Sequence, residues 1–239
     1  MTKLYEFELG KAADILTNKL FKLKPNEVMV ITADTESDEQ VVNATARSAF
    51  ACGAKPMVIW LASPLGVGKA ADPMFPTESL VGALNSADAW VEFNNQWIFY
   101  SSVYDRVMKE NPKIRYSCLV GMNADMMVRC IGRIDYPKLE KFMARITEMT
   151  KNANEVRITT AEGMDVTMKN MADHIGAYSL GYADTPGAHM MAGQIYWAID
   201  LESLNGKIVF DGSVNPPIGL LKDPIVLHVS KGDIVEIEG

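Results

Sequence analysis

Hydrophobic positions along the chain fall into two successive rhythms. From residue 3 to 23, Leu4, Phe7, Ile15, Leu16, Leu20 and Leu23 form a helical stripe that Gly10 interrupts. A Pro/Asn turn in KPNE then leads into an apolar run, Val28 to Thr32, of the kind buried on both faces of a sheet. Ser37 followed three residues later by Gln40 has the form of a capping box. The helix it opens turns Val41, Val42, Ala46, Ala49 and Phe50 inward and stops at Gly53. KPMVIWLA reads as a strand, PTESLVGALNSA as a helix and DAWVEFN as a strand; YSSVYDRVMKEN is then a helix and KIRYSCLV a fourth strand. Strands alternating with helices of this length predict right-handed βαβ units around a parallel sheet.

Near residue 135 the pattern changes. YPKLEKFMARITEMTKNAN predicts a connecting helix with Leu139, Phe142, Met143, Ile146 and Met149 on one face. VRITTAEGMDVTMK alternates on both sides of a Glu-Gly turn and reads as a β-hairpin. GQIYWAID, GKIVFDGSV, DPIVLHVS and DIVEIEG are further short strands, separated by Asn-Gly, Asn-Pro-Pro and Lys-Gly turns. The expected fold class is therefore α/β: a Rossmann-like parallel-sheet βαβ domain over 1–134, followed by a connecting helix and a β-rich α+β domain over 135–239.

Composition narrows the partners. With 23 Lys and Arg against 30 Asp and Glu, the 239-residue chain carries a formal charge of −7. That charge disfavours an extended grip on nucleic acid or anionic lipid. No window approaches the roughly 20 apolar residues of a membrane span, and the N-terminus lacks a signal-peptide core. Cys52, Cys118 and Cys130 are odd in number and far apart, which suggests neither a disulfide framework nor a thiolate zinc site. A cytoplasmic protein is expected. The 15 methionines are scattered and read as core filling.

The candidate chemistry is sparse. SPLGVGKA echoes a phosphate loop, but Ser63 and Ala70 stand where glycine and a hydroxyl residue are required, so it reads as an ordinary loop. TADTESD leaves the carboxyl end of the first strand, where open α/β sheets place ligands, and offers Asp34, Thr35 and Glu36. Acids there also suit a helix N-terminus. QWIFYSSVY follows the third strand and offers Tyr100, Ser101 and Ser102, with no histidine or lysine base beside them. Asp34, Thr35, Tyr100 and Ser101 are the expected substrate contacts. No residue is assigned a catalytic role. Of three histidines, His174 lies in a Gly/Tyr-rich loop and His228 in an apolar strand, while His189 sits between Gly187 and Gly193, which permit close backbone approach. One histidine is one ligand, and a catalytic metal needs about three.

ITADTESDEQVV, RITTAEGMDVT and the run from GYADTPGAHMMAGQIYWAIDLESLNGKIVFDGSV to GLLKDPIVLHVSKGDIVEIEG resemble the thermophilic metallo-aminopeptidases of the T and S types. The iron-using 2,5-dihydroxypyridine 5,6-dioxygenases are relatives of that family. The resemblance implies an α/β domain before a β-rich metal-binding domain, a homodimer, and a small-molecule or peptide substrate. It implies a metal-dependent hydrolase of the leucyl-aminopeptidase type, with zinc or cobalt held by Glu, His, Tyr and Asp. Gln194 stands where that family has a ligating glutamate, and a carboxamide replaces a bridging carboxylate poorly. The dioxygenase branch implies iron(II) and a histidine for which His189 is the counterpart; its histidine after the third strand has no equivalent at Tyr100 to Ser102. His189 and Gln194 are thus the expected metal positions. The remaining ligands of the family, including a His-x-Asp pair, have no counterpart before Gly239. The resemblance therefore implies a chain cut from a longer member, with an incomplete metal site or none. The alternatives are an Fe(II)-dependent ring-cleaving dioxygenase and a non-catalytic small-molecule-binding or scaffold protein.

Overall fold

The computed structural model describes residues 6–174, 178–214 and 219–239. Leu4 of the first stripe and the Asn-Pro-Pro turn at 215–217 lie outside the described residues. The chain divides into two compact units, one through Glu140 with Ser179–Gln194, the other Lys141–Tyr178 with Ile195–Gly239.

The first unit is built as the strand–helix alternation predicts. Its strands are β1 (Val28–Asp34), β2 (Lys55–Leu61), β3 (Ala89–Glu92), β4 (Arg115–Cys118) and β7 (Gly187–Met190), in the order β2-β1-β3-β4-β7 and all parallel. Its helices are α1 (Glu6–Asp14), α2 (Glu39–Ala51), α3 (Thr77–Asn85), α4 (Ser102–Glu110) and α5 (Ala124–Met127). α1 continues as a π-helix over Ile15–Leu20. Strand alternation divides the core between two faces. Met29, Ile31, Val91 and Phe93 pack with Leu9, Leu16, Val41 and Met127; Val30, Trp90 and Tyr116 pack with Leu80, Leu84, Val103 and Val107. Both faces are covered, which is why β1 and β3 are apolar almost throughout.

Several local expectations are corrected. Asp38, not Ser37, caps α2 by accepting the Gln40 N–H at 2.9 Å, because the Ser37 hydroxyl is engaged with Asp34 and the Phe93 carbonyl. Phe50 points to solvent, 75% exposed, because the buried face of α2 is made by Val41, Val42, Ala44, Thr45 and Ala49. Gly53, at φ +83°, does end this helix. The largest change is β7. Residues 179–194 were expected in the β-rich part, yet they return to the first sheet, where β7 pairs with the edge left open by β4.

The second unit contains the greater part of α6 (Tyr136–Asn152) and an antiparallel sheet of order β12-β11-β8-β6-β5. The strands are β5 (Glu155–Thr159), β6 (Asp165–Asn170), β8 (Ile199–Phe210), β11 (Ile225–Ser230) and β12 (Asp233–Glu238); β9 (Ser213–Val214) and β10 (Gly219–Leu220) form a separate short pair. On α6, Met143 is buried but Phe142 and Met149 are exposed, so its apolar face is narrower than the sequence stripe. The hairpin at 155–170 and the Lys-Gly turn at 231–232 form as read. Asn205-Gly206 does not turn the chain. Both residues lie inside β8, and Gly206 adopts φ +122° where β8 closes on β6.

A Cβ at Gly206 would lie 2.2 Å from the Asp165 carbonyl oxygen, in a backbone conformation that side chains avoid. Gly206→Ala is expected to destabilise the protein by about 2–4 kcal/mol, the range for strain combined with overpacking. Urea unfolding measures it, and an unchanged midpoint would show that this close approach does not exist.

Candidate functional site

In a sheet of order β2-β1-β3-β4, the chain leaves β1 toward one side for β2 and crosses to the other for β3. The switch point lies between β1 and β3, and a crevice opens outside their carboxyl ends. Each strand ends there in a buried acid, Asp34 on β1 and Glu92 on β3.

The two acids hold one loop. Asp34 Oδ2 accepts the N–H groups of Asn95 at 2.7 Å and Gln96 at 2.9 Å, while Oδ1 accepts the Glu36 N–H at 3.0 Å and lies 3.2 Å from the Ser37 hydroxyl. Glu92 Oε1 accepts the Ile98 N–H, and the Phe99 N–H next to it also favours the charged form of this carboxyl. Its Oε2 accepts the Tyr116 hydroxyl at 2.5 Å. Burial pushes the Glu92 carboxyl up to about 7, against the opposing pull of the Tyr116, Ile98 and Phe99 donors. The same burial raises the Tyr116 phenol well above its usual value and the Cys118 thiol to about 11, so Cys118 is no ready nucleophile. Glu92 is a group that the sequence reading passed over. Its signal was an acid closing an otherwise apolar strand, AWVE.

The expected substrate contacts separate on this geometry. Asp34 spends its carboxylate on the loop. Ser101 is fully buried and caps α4, its hydroxyl accepting the Tyr104 N–H at 3.2 Å. Thr35 and Tyr100 stay available at the rim. Thr35 is exposed, with Oγ1 accepting the Ser63 N–H at 3.2 Å. Tyr100 is 62% exposed and sits at φ +64°, a left-handed conformation that costs a tyrosine energy and is concentrated at ligand sites. Its ring lies 3.8 Å from that of Phe99, which contacts Tyr104 and Tyr116, and Tyr116 in turn packs on Trp90 at 4.3 Å. An aromatic series thus runs from the core out to an exposed ring. Asn94, buried beside the loop, has neither end of its carboxamide paired among the described residues and keeps capacity for a ligand or a water. The SPLGVGKA segment forms no phosphate cradle: Lys69 pairs with Asp105, and the Gly68 N–H donates to the Trp97 carbonyl at 3.1 Å. A cavity of about 750 Å³ lies elsewhere in this unit, between α1 and α2.

The expected metal positions, His189 and Gln194, both belong to the excursion that carries β7. His189 is part of that strand rather than of a loop, opposite Ser117 of β4, and its Nε2 meets the Thr185 carbonyl at 2.8 Å. A carbonyl only accepts, so Nε2 carries the proton and Nδ1 keeps the lone pair, the one ring atom of His189 that could meet a metal. Asp184 is drawn below the usual carboxylate range, chiefly by its 2.6 Å hydrogen bond to Lys22 and only slightly by His189. The Gln194 main chain closes the excursion through a bridge to Ser179. Among the described residues, no group of three possible metal donors includes His189; the group that exists is His228, Glu236 and Glu238 in the second unit.

The model of the 2,5-dihydroxypyridine 5,6-dioxygenase (NicX) family matches residues 15–239. The chain belongs to that family. Among solved structures, the 2,5-dihydroxypyridine dioxygenase from Pseudomonas putida KT2440 matches with a TM-score of 0.70 at 20% identity, over 99% of this chain and 69% of that one. AmpT from Thermus thermophilus matches with a TM-score of 0.63 at 13% identity, over 98% of this chain and 71% of that one. Both likenesses establish the α/β architecture. Comparison with curated protein sequences gives no match. Membership in the dioxygenase family overturns the expected leucyl-type hydrolase, since the family model and the more similar of these two structures are both dioxygenases. Zinc or cobalt as its cofactor loses its ground with it. Among the described residues, no helix is long and apolar enough to cross a membrane.

Glu92 gives this dioxygenase-family fold a pH signature. A carboxyl raised from 4.5 to about 7 by burial holds its proton in the folded state across a range where the unfolded chain has lost it. Its contribution to stability is full below about pH 4.5 and is lost as pH rises through about 7, on the order of 3 kcal/mol in all. Wild-type melting temperature should therefore fall between pH 5 and 8, and Glu92→Gln should flatten that slope. Equal slopes in the two proteins would contradict the assignment.

Proposed function

We propose that this chain serves the ring-opening dioxygenation of a hydroxylated pyridine, with the crevice between β1 and β3 as the place where the ring binds. The observation that carries the reading is the family match over residues 15–239. The crevice is suited to a planar heteroaromatic: Tyr100 presents an exposed face for stacking, and Thr35 supplies a hydroxyl. Asp34 and Glu92 fix the loop that carries Tyr100, so little ordering is left for the ligand to impose. The family description implies iron(II), but the described residues around His189 gather too few donors to hold it. One imidazole offers Nδ1, and the nearby Asp184 carboxylate is held by Lys22. No step is therefore assigned to iron at His189.

That same observation favours a second reading, in which the chain binds the pyridine without turning it over. One experiment separates the two. Protein loaded anaerobically with iron(II) is titrated with 2,5-dihydroxypyridine by calorimetry and then exposed to oxygen in an electrode cell. The dioxygenase reading expects saturable binding, one oxygen consumed per ring lost, and at least fivefold weaker binding in Tyr100→Ala. Binding without oxygen uptake supports the second reading, and absence of binding overturns both.

A further inference from the structure

His228, Glu236 and Glu238 lie far along the chain from the crevice residues, on β11 and β12 of the antiparallel sheet. The geometry points to a divalent metal site there, and we propose that these three side chains bind one borderline transition-metal ion of the zinc class. The proposal is independent of the crevice reading and of the family's iron.

Strand register assembles the donors. His228 is directly opposite Glu236, and Val226 opposite Glu238, so the imidazole and both carboxylates project from one face of the β11–β12 hairpin. One ligand atom from each lies within 4.8 Å of the others, and His228 Nε2 is 2.8 Å from Glu238 Oε1. Bonds of about 2.1 Å to a tetrahedral ion would set ligand atoms roughly 3.4 Å apart. The two glutamate side chains are exposed and free to close that difference by rotation. A register irregularity next to His228 leaves Val235 as the extra residue on β12, a device often found where a side chain is re-aimed.

An ordinary exposed ion pair accounts for His228 and Glu238 but not for Glu236. That residue adds a second negative charge on the same face and has no hydrogen-bond or ion-pair partner among the described residues beyond this group. A cation between the carboxylates relieves their repulsion. The flanking positive charge does not oppose it. Lys207 of β8 is opposite His228, but a Cβ on Gly163 would lie 3.3 Å from its Nζ, so the ammonium is turned toward the β5–β6 turn and Asp165. The donor set then selects the ion: one imidazole and two carboxylates suit a borderline ion better than magnesium, which prefers oxygen alone and keeps its water. Three protein donors leave a position for water or for a donor from a partner.

The test uses untagged protein, stripped with chelator and dialysed, with Zn²⁺ titrated in competition with a chromophoric chelator. One tight equivalent is expected, and tenfold excess Mg²⁺ should not displace it. His228→Ala should weaken that equivalent at least tenfold and Glu236→Gln at least threefold, whereas His174→Ala should leave it unchanged. Zn²⁺ should raise the melting temperature of wild type and not of His228→Ala, which checks that the variant is folded and the effect local. No tight equivalent in wild type overturns the proposal, as does an equivalent that survives His228→Ala.

Discussion

Two acids closing two neighbouring strands hold the loop that forms the crevice, and the rest of the first unit is arranged to let them. Asp34 accepts two N–H groups from the loop after β3 and one from its own turn; Glu92 accepts one more a few residues on. Hydrogen bonds to the Asp34 carboxylate contribute about 1.5–3 kcal/mol each, those to the raised Glu92 carboxyl about 0.5–1.5, and a buried N–H left without a partner costs about 1–3. Four such donors outweigh what any single rim side chain contributes. Loop position, and with it the left-handed backbone of Tyr100, is therefore set from the strand ends rather than by contacts in the loop itself. Apolar faces on both sides of β1 and β3 make this possible by excluding the water that would compete for the same groups.

The α/β class, the first four strands and α2 to α4 were legible in the sequence because strand and helix periods alternate cleanly there. What failed was decided by competition between elements. Ser37 has the chemistry of a cap, but tertiary partners claimed it and Asp38 was adjacent. Asn-Gly at 205–206 has the composition of a turn, but a neighbouring strand at the same level needed a residue without a side chain. β7 was unreadable for another reason: four residues, Gly187 to Met190, carry too little pattern, and only the open edge of β4 makes them a strand.

At the crevice outside β1 and β3, the four side chains that the sequence offered as substrate contacts divide in two. Asp34 and Ser101 are structural there, through the loop and the α4 cap, while Thr35 and Tyr100 remain exposed. Histidine scarcity drew attention to His189, the one on a glycine-flanked segment. Yet assembly of donors depends on register, and register placed His228 beside two carboxylates on a hairpin whose spacing, with a Lys-Gly turn between, was visible in the sequence. Family membership and local donor geometry are separate facts in this protein: the first names a dioxygenase family, and the second, among the described residues, gathers three possible donors at His228, Glu236 and Glu238.

The dependence of the loop on Asp34 can be measured directly by amide hydrogen exchange in Asp34→Asn. The carboxamide keeps the size of the side chain but replaces one accepting oxygen with a donor. Exchange at Asn95 and Gln96, or at Glu36 if the amide settles the other way round, should accelerate at least tenfold, with Val30 and Val91 in the strands unchanged. Protection at all three loop amides equal to that of wild type would contradict the account.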